Sequence, residues 1–382
     1  MIGHPLRSND IRESNEKLVL SILFQNAGIS QSQVVKRTGL KAPTVFRIFA
    51  NLEEDGYIQP CGEYTPAEPH QGTDRKGRRP NYYCVNPSSG YAIGVDFSSL
   101  AASVIAVDFK NEVIYNDTID VESGINKDGM MAVLEVLIKK AIHQCGIELE
   151  RLIGIGIAAP GIVDTEAGRV LEYERIGGLS GFGIVEHFQR VFGAPVLAHN
   201  NASVIAASAY HYGGAQEEGS LFAILVRSGV GGALVNHGEI FLNGTTTALE
   251  IGRIHVSTDS NSENLEGICS EPAILEALRA RFGVTSWEEI QKQLTSDDLE
   301  SALKQVELAF GTALRNLNHI FHPEAFLLIS RFTILSDYLR AVAERALAGR
   351  RVISLVYNPV QACYGATDIV FKQFFRFNPN SV

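Results

Sequence analysis

The chain has 382 residues, 45% of them apolar, with 35 glycines and a formal net charge of −10. That length implies two or three domains, and the composition belongs to α/β architecture rather than to disorder. No apolar run approaches the roughly 20 residues of a membrane span. The opening MIGHPLRSND lacks a signal peptide's apolar stretch, and the five cysteines are scattered without CxxC spacing. Both argue for a reducing cytoplasm and against a disulfide framework.

Residues 30–58, SQSQVVKRTGLKAPTVFRIFANLEEDGYI, predict a helix, a tight turn through Gly39, a second helix and an exit toward a wing. Ser30 with Gln33 forms a capping-box pattern, which satisfies orphan amides at a helix start. Pro43 suits the first position of the second helix. Val45, Ile48, Phe49 and Leu52 recur at helical spacing as a buried stripe. Lys41, Thr44, Arg47 and Asn51 are left on the opposite face, where such side chains read base edges or hold phosphate. Phe46 is either a contact for a thymine methyl or packing for the wing. A bracing helix followed by a projecting one is the shape that enters a DNA major groove; the alternative is a three-helix packing module with an ordinary polar face.

Residues 65–81, TPAEPHQGTDRKGRRPN, are polar and carry Arg75, Lys76, Arg78 and Arg79. Too little apolar surface is present for a core, so the stretch reads as wing tip and linker. Its Gly-Arg-Arg-Pro segment suits a narrow, A·T-rich minor groove, and Arg78 and Arg79 are the candidate contacts; the alternative is a solvated linker. Up to Val85 the chain holds 11 Lys+Arg against 9 Asp+Glu, and the remainder holds 22 against 34. An acidic body disfavours general phosphate attraction, confining DNA contact to the first segment.

The body carries an internal echo. Residues 91–115 run strand, turn, strand, turn, strand (YAIGVDF, SSLA, ASVIAVDF, KNE, VIY), and 221–242 repeat that order (LFAILV, RSGVG, GALVN, HGE, IFL). Further strands are expected at 152–159 and 326–329. Two meander-plus-helix units predict a duplicated, two-lobed α/β protein with a ligand cleft between the lobes. Helices are expected over 271–283, 286–294, 297–321 and 334–348. On the third, Leu299, Leu303, Val306, Phe310, Leu314 and Leu317 form one apolar stripe, a core face or a subunit contact.

Several motifs in one order resemble the transcription-factor branch of the ROK family (repressors, open reading frames and sugar kinases). They are GRRP at the end of the winged segment, GIAAPGIVD (156–164), HNNASVIAA (199–207), RSGVGGA (227–233), GTTTALEIGR (244–253) and CSE (269–271). The resemblance runs from about Arg12 to Phe375. It implies an α/β fold in which an N-terminal winged helix-turn-helix precedes a two-lobed, actin-like (ribonuclease H-like duplicated) domain. The expected boundaries are 1–64 for the DNA-binding domain, 65–90 for wing and linker, 91–195 for the first lobe and 196–382 for the second. It also implies at least a homodimer, matched to a palindromic operator.

The departures bear on activity. ROK kinases carry Asn-Asp where this chain has Asn200-Asn201, and an amide has no carboxylate to accept a proton. The family's Asp-x-Gly-Gly-Thr loop is replaced after Asp96 by Phe97, Ser98, Ser99 and Leu100, where side chains obstruct phosphate. The second phosphate loop has Arg227 and Ser228 at early positions but keeps Gly229, Gly231 and Gly232. Ser330 and Arg331 stand where a glycine pair would meet adenosine. The family's zinc ligands correspond to Arg253, Ser262, Asn264 and Cys269, too few to hold the metal. No cofactor, metal or enzymatic activity is expected.

What the resemblance leaves is a sugar pocket: Asn200, Glu250 and Glu271 match positions that bond sugar hydroxyls, Gly161 lies in the loop over the ring, and Asn201 retains a polar group. Arg253, in place of the usual His, either contacts a phosphorylated or acidic sugar or pairs with Glu250 or Glu271. The chain is thus expected to be a cytoplasmic transcription regulator, a repressor, controlled by a sugar or sugar phosphate that alters the lobe angle and moves the linker at 60–90. The alternatives are an ATP-dependent sugar kinase and a DNA-binding protein with a non-functional pocket.

Overall fold

The structure, a computed structural model, describes residues 8–61, 81–212, 219–246, 249–256 and 263–376. It begins with α1 (Ser8–Phe24), β1 (Ile29–Ser30), α2 (Gln31–Thr38), α3 (Ala42–Glu54), β2 (Ile58–Pro60) and β3 (Tyr82–Val85). The three strands form an antiparallel sheet in the order β1-β3-β2. The head therefore extends through Val85 rather than stopping at residue 64, because β3 is its central strand.

The first lobe contains β4 (Tyr91–Phe97), β5 (Ala101–Asp108), β6 (Val113–Asp120), α4 (Lys127–Gln144) and β7 (Leu152–Ala159). It continues with a hairpin of β8 (Ile162–Asp164) and β9 (Arg169–Glu172), then α5 (Ile184–Phe192) and β10 (Val196–Asn200). Its sheet runs β10-β7-β4-β5-β6, so the boundary expected after residue 195 falls one strand early. Helices α4 and α5 cover one face over a core that includes Phe97, Leu134, Ile157 and Phe188.

The second lobe opens with α6 (Asn201–Tyr212), β11 (Ser220–Val226), β12 (Val230–Asn236) and β13 (Glu239–Ile240). A small ribbon of β14 (His255–Val256) and β15 (Glu263–Asn264) leads to α7 (Leu265–Cys269), α8 (Glu271–Phe282), α9 (Trp287–Gln293), α10 (Ser296–Ala302) and α11 (Lys304–Phe321). Then follow β16 (Ala325–Ser330), α12 (Thr333–Ala346), β17 (Arg351–Val356) and α13 (Pro359–Phe375). The sheet order β13-β12-β11-β16-β17 repeats that of the first lobe: an antiparallel meander, then two parallel strands beside its first strand. The duplication read from the meanders is thus present in the complete strand order.

One expected helix is broken. Residues 297–321 form α10 and α11, separated at Leu303, whose non-helical backbone (φ −103°, ψ 36°) ends one helix and begins the next. Its carbonyl accepts both the Glu307 amide of α11 and the Tyr338 hydroxyl, the latter at 2.8 Å. Periodicity missed the break because the stripe continues across it: Leu299, Leu303, Val306, Phe310, Leu314 and Leu317 are all buried in the second-lobe core.

Helix α13 returns from the second lobe to lie on β4 and β7 of the first, crossing α6 on the way. Gly156 permits this approach, since a Cβ there would overlap the Ala366 carbonyl. The far end of α13 meets the head. Phe24 of α1 packs against Phe371 and Phe375 with ring centroids 4.7 and 5.0 Å apart, and Phe109 joins the group. Head, first lobe and α13 share one hydrophobic core, so the head is joined to the body by packing as well as by the short stretch between Val85 and Tyr91.

Candidate nucleic-acid interface and interlobe cleft

In the head, the Gln33 amide donates to Ser30 Oγ and the Ser30 amide to Gln33 Oε1, closing the expected capping box. Gly39 adopts φ 69°, the left-handed conformation that glycine tolerates, and turns the chain into α3. Helix α3 starts at Ala42, which places Pro43 at its second position rather than its first. Val45, Ile48, Phe49 and Leu52 are buried, as their spacing requires.

The opposite face carries Lys41, Phe46 and Arg47 exposed, with Thr44 half-buried beside them. Phe46 is 50% exposed, a large apolar group presented to solvent on a cationic face. Asn51 departs from this face: its amide donates to Glu16 Oε1 of α1 at 3.2 Å, which makes it an internal brace of the head. Arg78 and Arg79 lie outside the described residues.

Between the lobes is a cavity of about 650 Å³. Five of the six candidate effector residues line it: Gly161, Asn200, Asn201, Glu250 and Arg253. Gly161 has φ 78°, and a Cβ on it would overlap the Glu172 carbonyl, so this loop turn is restricted to glycine. The Asn200 amide donates to the Gly161 carbonyl at 2.7 Å, and its oxygen accepts from the Ser203 amide at the start of α6. Asn200 thus shapes the wall, and Asn201 beside it lines the space. Burial pushes the Glu250 carboxyl up, against the pull of Arg253.

Glu271 is not on the cavity surface. It is 1% exposed, and Arg331 Nε donates to its carboxylate at 2.8 Å. The family resemblance put Glu271 among the sugar residues but could not anticipate that Arg331, 60 positions later, would engage it.

The regions matching the nucleotide loops are filled by the protein's own ions. Arg227 of the second lobe approaches Asp96 of the first at 3.5 Å, lies 4.0 Å above the Tyr357 ring, and is 7% exposed. The Tyr357 hydroxyl donates to the same carboxylate. Burial pushes the Asp96 carboxyl up while Arg227 and Tyr357 pull it down. Arg227 keeps its charge at neutral pH, because a guanidinium does not release its proton there. In the glycine-containing loop, the Val230 amide donates to Glu266 Oε2 at 3.0 Å, so a carboxylate sits where a phosphate oxygen would be received.

Two ion pairs bridge the cleft mouth. Arg175 of the first lobe donates to Glu266 and to the Ser228 carbonyl of the second. Arg253 of the second lobe pairs with Glu172 of the first at 2.6 Å and with Glu250 at 3.0 Å. The pairing with Glu250 agrees with one of the two readings of Arg253. The segment carrying Glu172 and Arg175 has no short motif to mark it, and only the folded geometry brings it to the cleft.

The residues matching a zinc site do not fit one. Arg253 is ion-paired, Asn264 caps α7 through the Gly267 amide at 2.8 Å, and the Cys269 thiol is fully buried, with burial pushing its pKa well up. Ser262 lies outside the described residues.

Comparison with known proteins places these features in a family. A model of the ROK family matches residues 92–362, and a model described as winged helix-turn-helix DNA-binding matches residues 12–59. A xylose repressor from Caldicellulosiruptor bescii is 24% identical over 370 residues, covering 91% of this chain and 90% of the relative. A crystal structure of a ROK family transcriptional regulator, a homolog of the E. coli MLC protein, superimposes with a TM-score of 0.74 at 19% identity, over 96% of this chain and 97% of that one. A ROK family glucokinase from Streptomyces griseus, in complex with glucose and AMPPNP, superimposes with a TM-score of 0.60 at 20% identity, over 73% and 99%.

Proposed function

The chain belongs to the ROK family, and from that premise we propose that it is a DNA-binding repressor of sugar metabolism, controlled by a sugar held between its lobes. One observation carries the reading: a winged head with a cationic face shares its core with a lobe whose cleft has kept the sugar-side residues. The xylose repressor similar along nearly the whole chain supports the same role.

DNA contact is assigned to Lys41, Thr44, Phe46 and Arg47 on α3, with Arg78 and Arg79 as minor-groove candidates. A homodimer would present two such helices to a palindromic, A·T-rich operator. In the cleft, Asn201 and Glu250 bond sugar hydroxyls, and Asn200 and Gly161 shape the wall. Effector binding changes the lobe angle. Because the head packs on the first lobe and on α13, it would move with that lobe. Only a sugar with unequal affinity for the two arrangements shifts their balance.

Phosphoryl transfer is not part of the proposed function. Asn201 supplies no base, and Arg227 fills space needed by a nucleotide's phosphates. Kinases are among the structural relatives, so this is tested directly. No helix among the described residues is long and apolar enough to cross a membrane.

The test is a thermal-shift screen of uncharged sugars, starting with D-xylose, followed by gel shifts on DNA upstream of the chain's own gene. A stabilising sugar that also changes the gel shift supports the reading. Sugar-dependent ADP release from ATP would replace it with the kinase reading.

A further inference from the structure

The cleft also discriminates by charge, which bears on the chemical class of effector. Its wall holds the carboxylates of Glu172, Glu174, Glu250 and Glu266 and the guanidiniums of Arg175, Arg227 and Arg253. Each guanidinium already has an acidic partner: Arg175 has Glu266, Arg253 has Glu172 and Glu250, and Arg227 has Asp96. Glu174 adds a further negative charge near Arg253, which already serves Glu172 and Glu250. A phosphate entering this space meets like charge and finds, among the described residues, no guanidinium without an acidic partner. In the glycine-containing loop the Val230 amide is already bonded to Glu266. An uncharged sugar faces no such conflict, because carboxylates and amides accept from or bridge hydroxyls without charge compensation.

The positions of the pairs matter as much as their number. Arg175–Glu266 and Arg253–Glu172 each join one lobe to the other, so they form only when the cleft is closed. A phosphate could pull Arg175 from Glu266 only by opening the mouth and leaving that carboxylate beside it. Anion binding and closure therefore oppose one another in this chain.

We propose that the effector is an uncharged sugar, and that the cross-lobe pairs Arg175–Glu266 and Arg253–Glu172 close over it and exclude phosphate esters. This rests on the sugar-effector reading above and narrows it.

The test compares probes by calorimetry on the intact protein: D-xylose, D-glucose and N-acetyl-D-glucosamine against α-D-xylose 1-phosphate, D-glucose 6-phosphate and N-acetyl-D-glucosamine 6-phosphate, each ester keeping its parent's pyranose ring. At least one uncharged sugar is expected to bind, with its ester weaker by about tenfold or more, equivalent to about 1.4 kcal/mol. An ester that binds as well as or better than its parent sugar overturns the inference and leaves a sugar-type effector standing. If no probe of either kind binds while the protein still binds DNA, the sugar-effector reading itself fails, and the inference with it.

A second measurement uses inorganic phosphate and the variant Glu266→Gln. The wild type is expected to show no thermal stabilisation by phosphate. The variant is expected to gain it, because Arg175 is freed from its counter-charge beside the loop. Equal stabilisation of both proteins would show that Glu266 does not guard the loop.

Discussion

The two halves of the interlobe cleft have the same ancestry of parts and opposite states. The sugar half keeps an open space, a glycine-restricted loop at Gly161 and a polar side chain at Asn201. On the proposed reading the nucleotide half carries internal substitutes: Arg227 against Asp96, Glu266 on the Val230 amide, and Arg331 against Glu271. Substitutions that remove a loop's glycines also bring in side chains, and those side chains become structural. On that reading one half remains a place for a ligand, while the other, through Arg227 and Asp96, helps to join the lobes.

That contrast can be broken most forcefully at Arg227. Replacing it by Ala strands the buried Asp96 carboxylate, whose Oδ1 already has no partner among the described residues. The loss of a buried partner of this kind costs about 3–5 kcal/mol, read as a lower urea midpoint. The double change Asp96→Asn with Arg227→Met is expected to recover most of it. A stable single variant would mean that the nucleotide half is not a structural joint.

The next effect lies beside the sugar half, on β10. Burial, and secondarily Lys372, holds the His199 imidazole down to about 4. An unfolded imidazole takes its proton near pH 6.5, so between those values the unfolded state binds the extra proton and stability falls as pH is lowered. Full development of that difference is worth roughly 3 kcal/mol. His199→Gln is expected to flatten the fall in melting temperature between pH 6.5 and 4. An unchanged slope would show that the ring is hydrated.

Smaller still is the change expected for Gly161→Ala. Left-handed backbone and the overlap with the Glu172 carbonyl together cost on the order of 1–3 kcal/mol, and sugar-dependent stabilisation should disappear with the displaced loop. Retained stabilisation would show that this loop does not shape the sugar half. Least disturbing to the fold is Arg47→Ala, expected within about 0.5 kcal/mol of wild type because the side chain is exposed. Operator binding should nevertheless weaken by about 1–3 kcal/mol. A large drop in melting temperature would show that Arg47 is part of the head's packing.

Much of this was legible in the residues because it is local. The Ser30–Gln33 cap, the Gly39 turn, the α3 stripe and both meanders depend on neighbours within a few positions, and all formed where expected. What escaped depends on distant partners. Asn51 looked like a groove contact until Glu16 engaged it from 35 positions away, and Glu271 looked like a sugar ligand until Arg331 did the same. Arg227 was visible as a misfit in a glycine loop, but its partner Asp96 lies 131 positions earlier. The break at Leu303 was invisible for a different reason: a one-residue interruption preserved the stripe.

The most direct measurement is the affinity of the intact protein for its upstream DNA, followed by fluorescence anisotropy while the best-bound uncharged sugar is titrated to saturation. Coupling between the cleft and the head through the shared core predicts a change in DNA Kd of roughly 5- to 150-fold. A DNA affinity that is the same with and without saturating sugar would contradict the account.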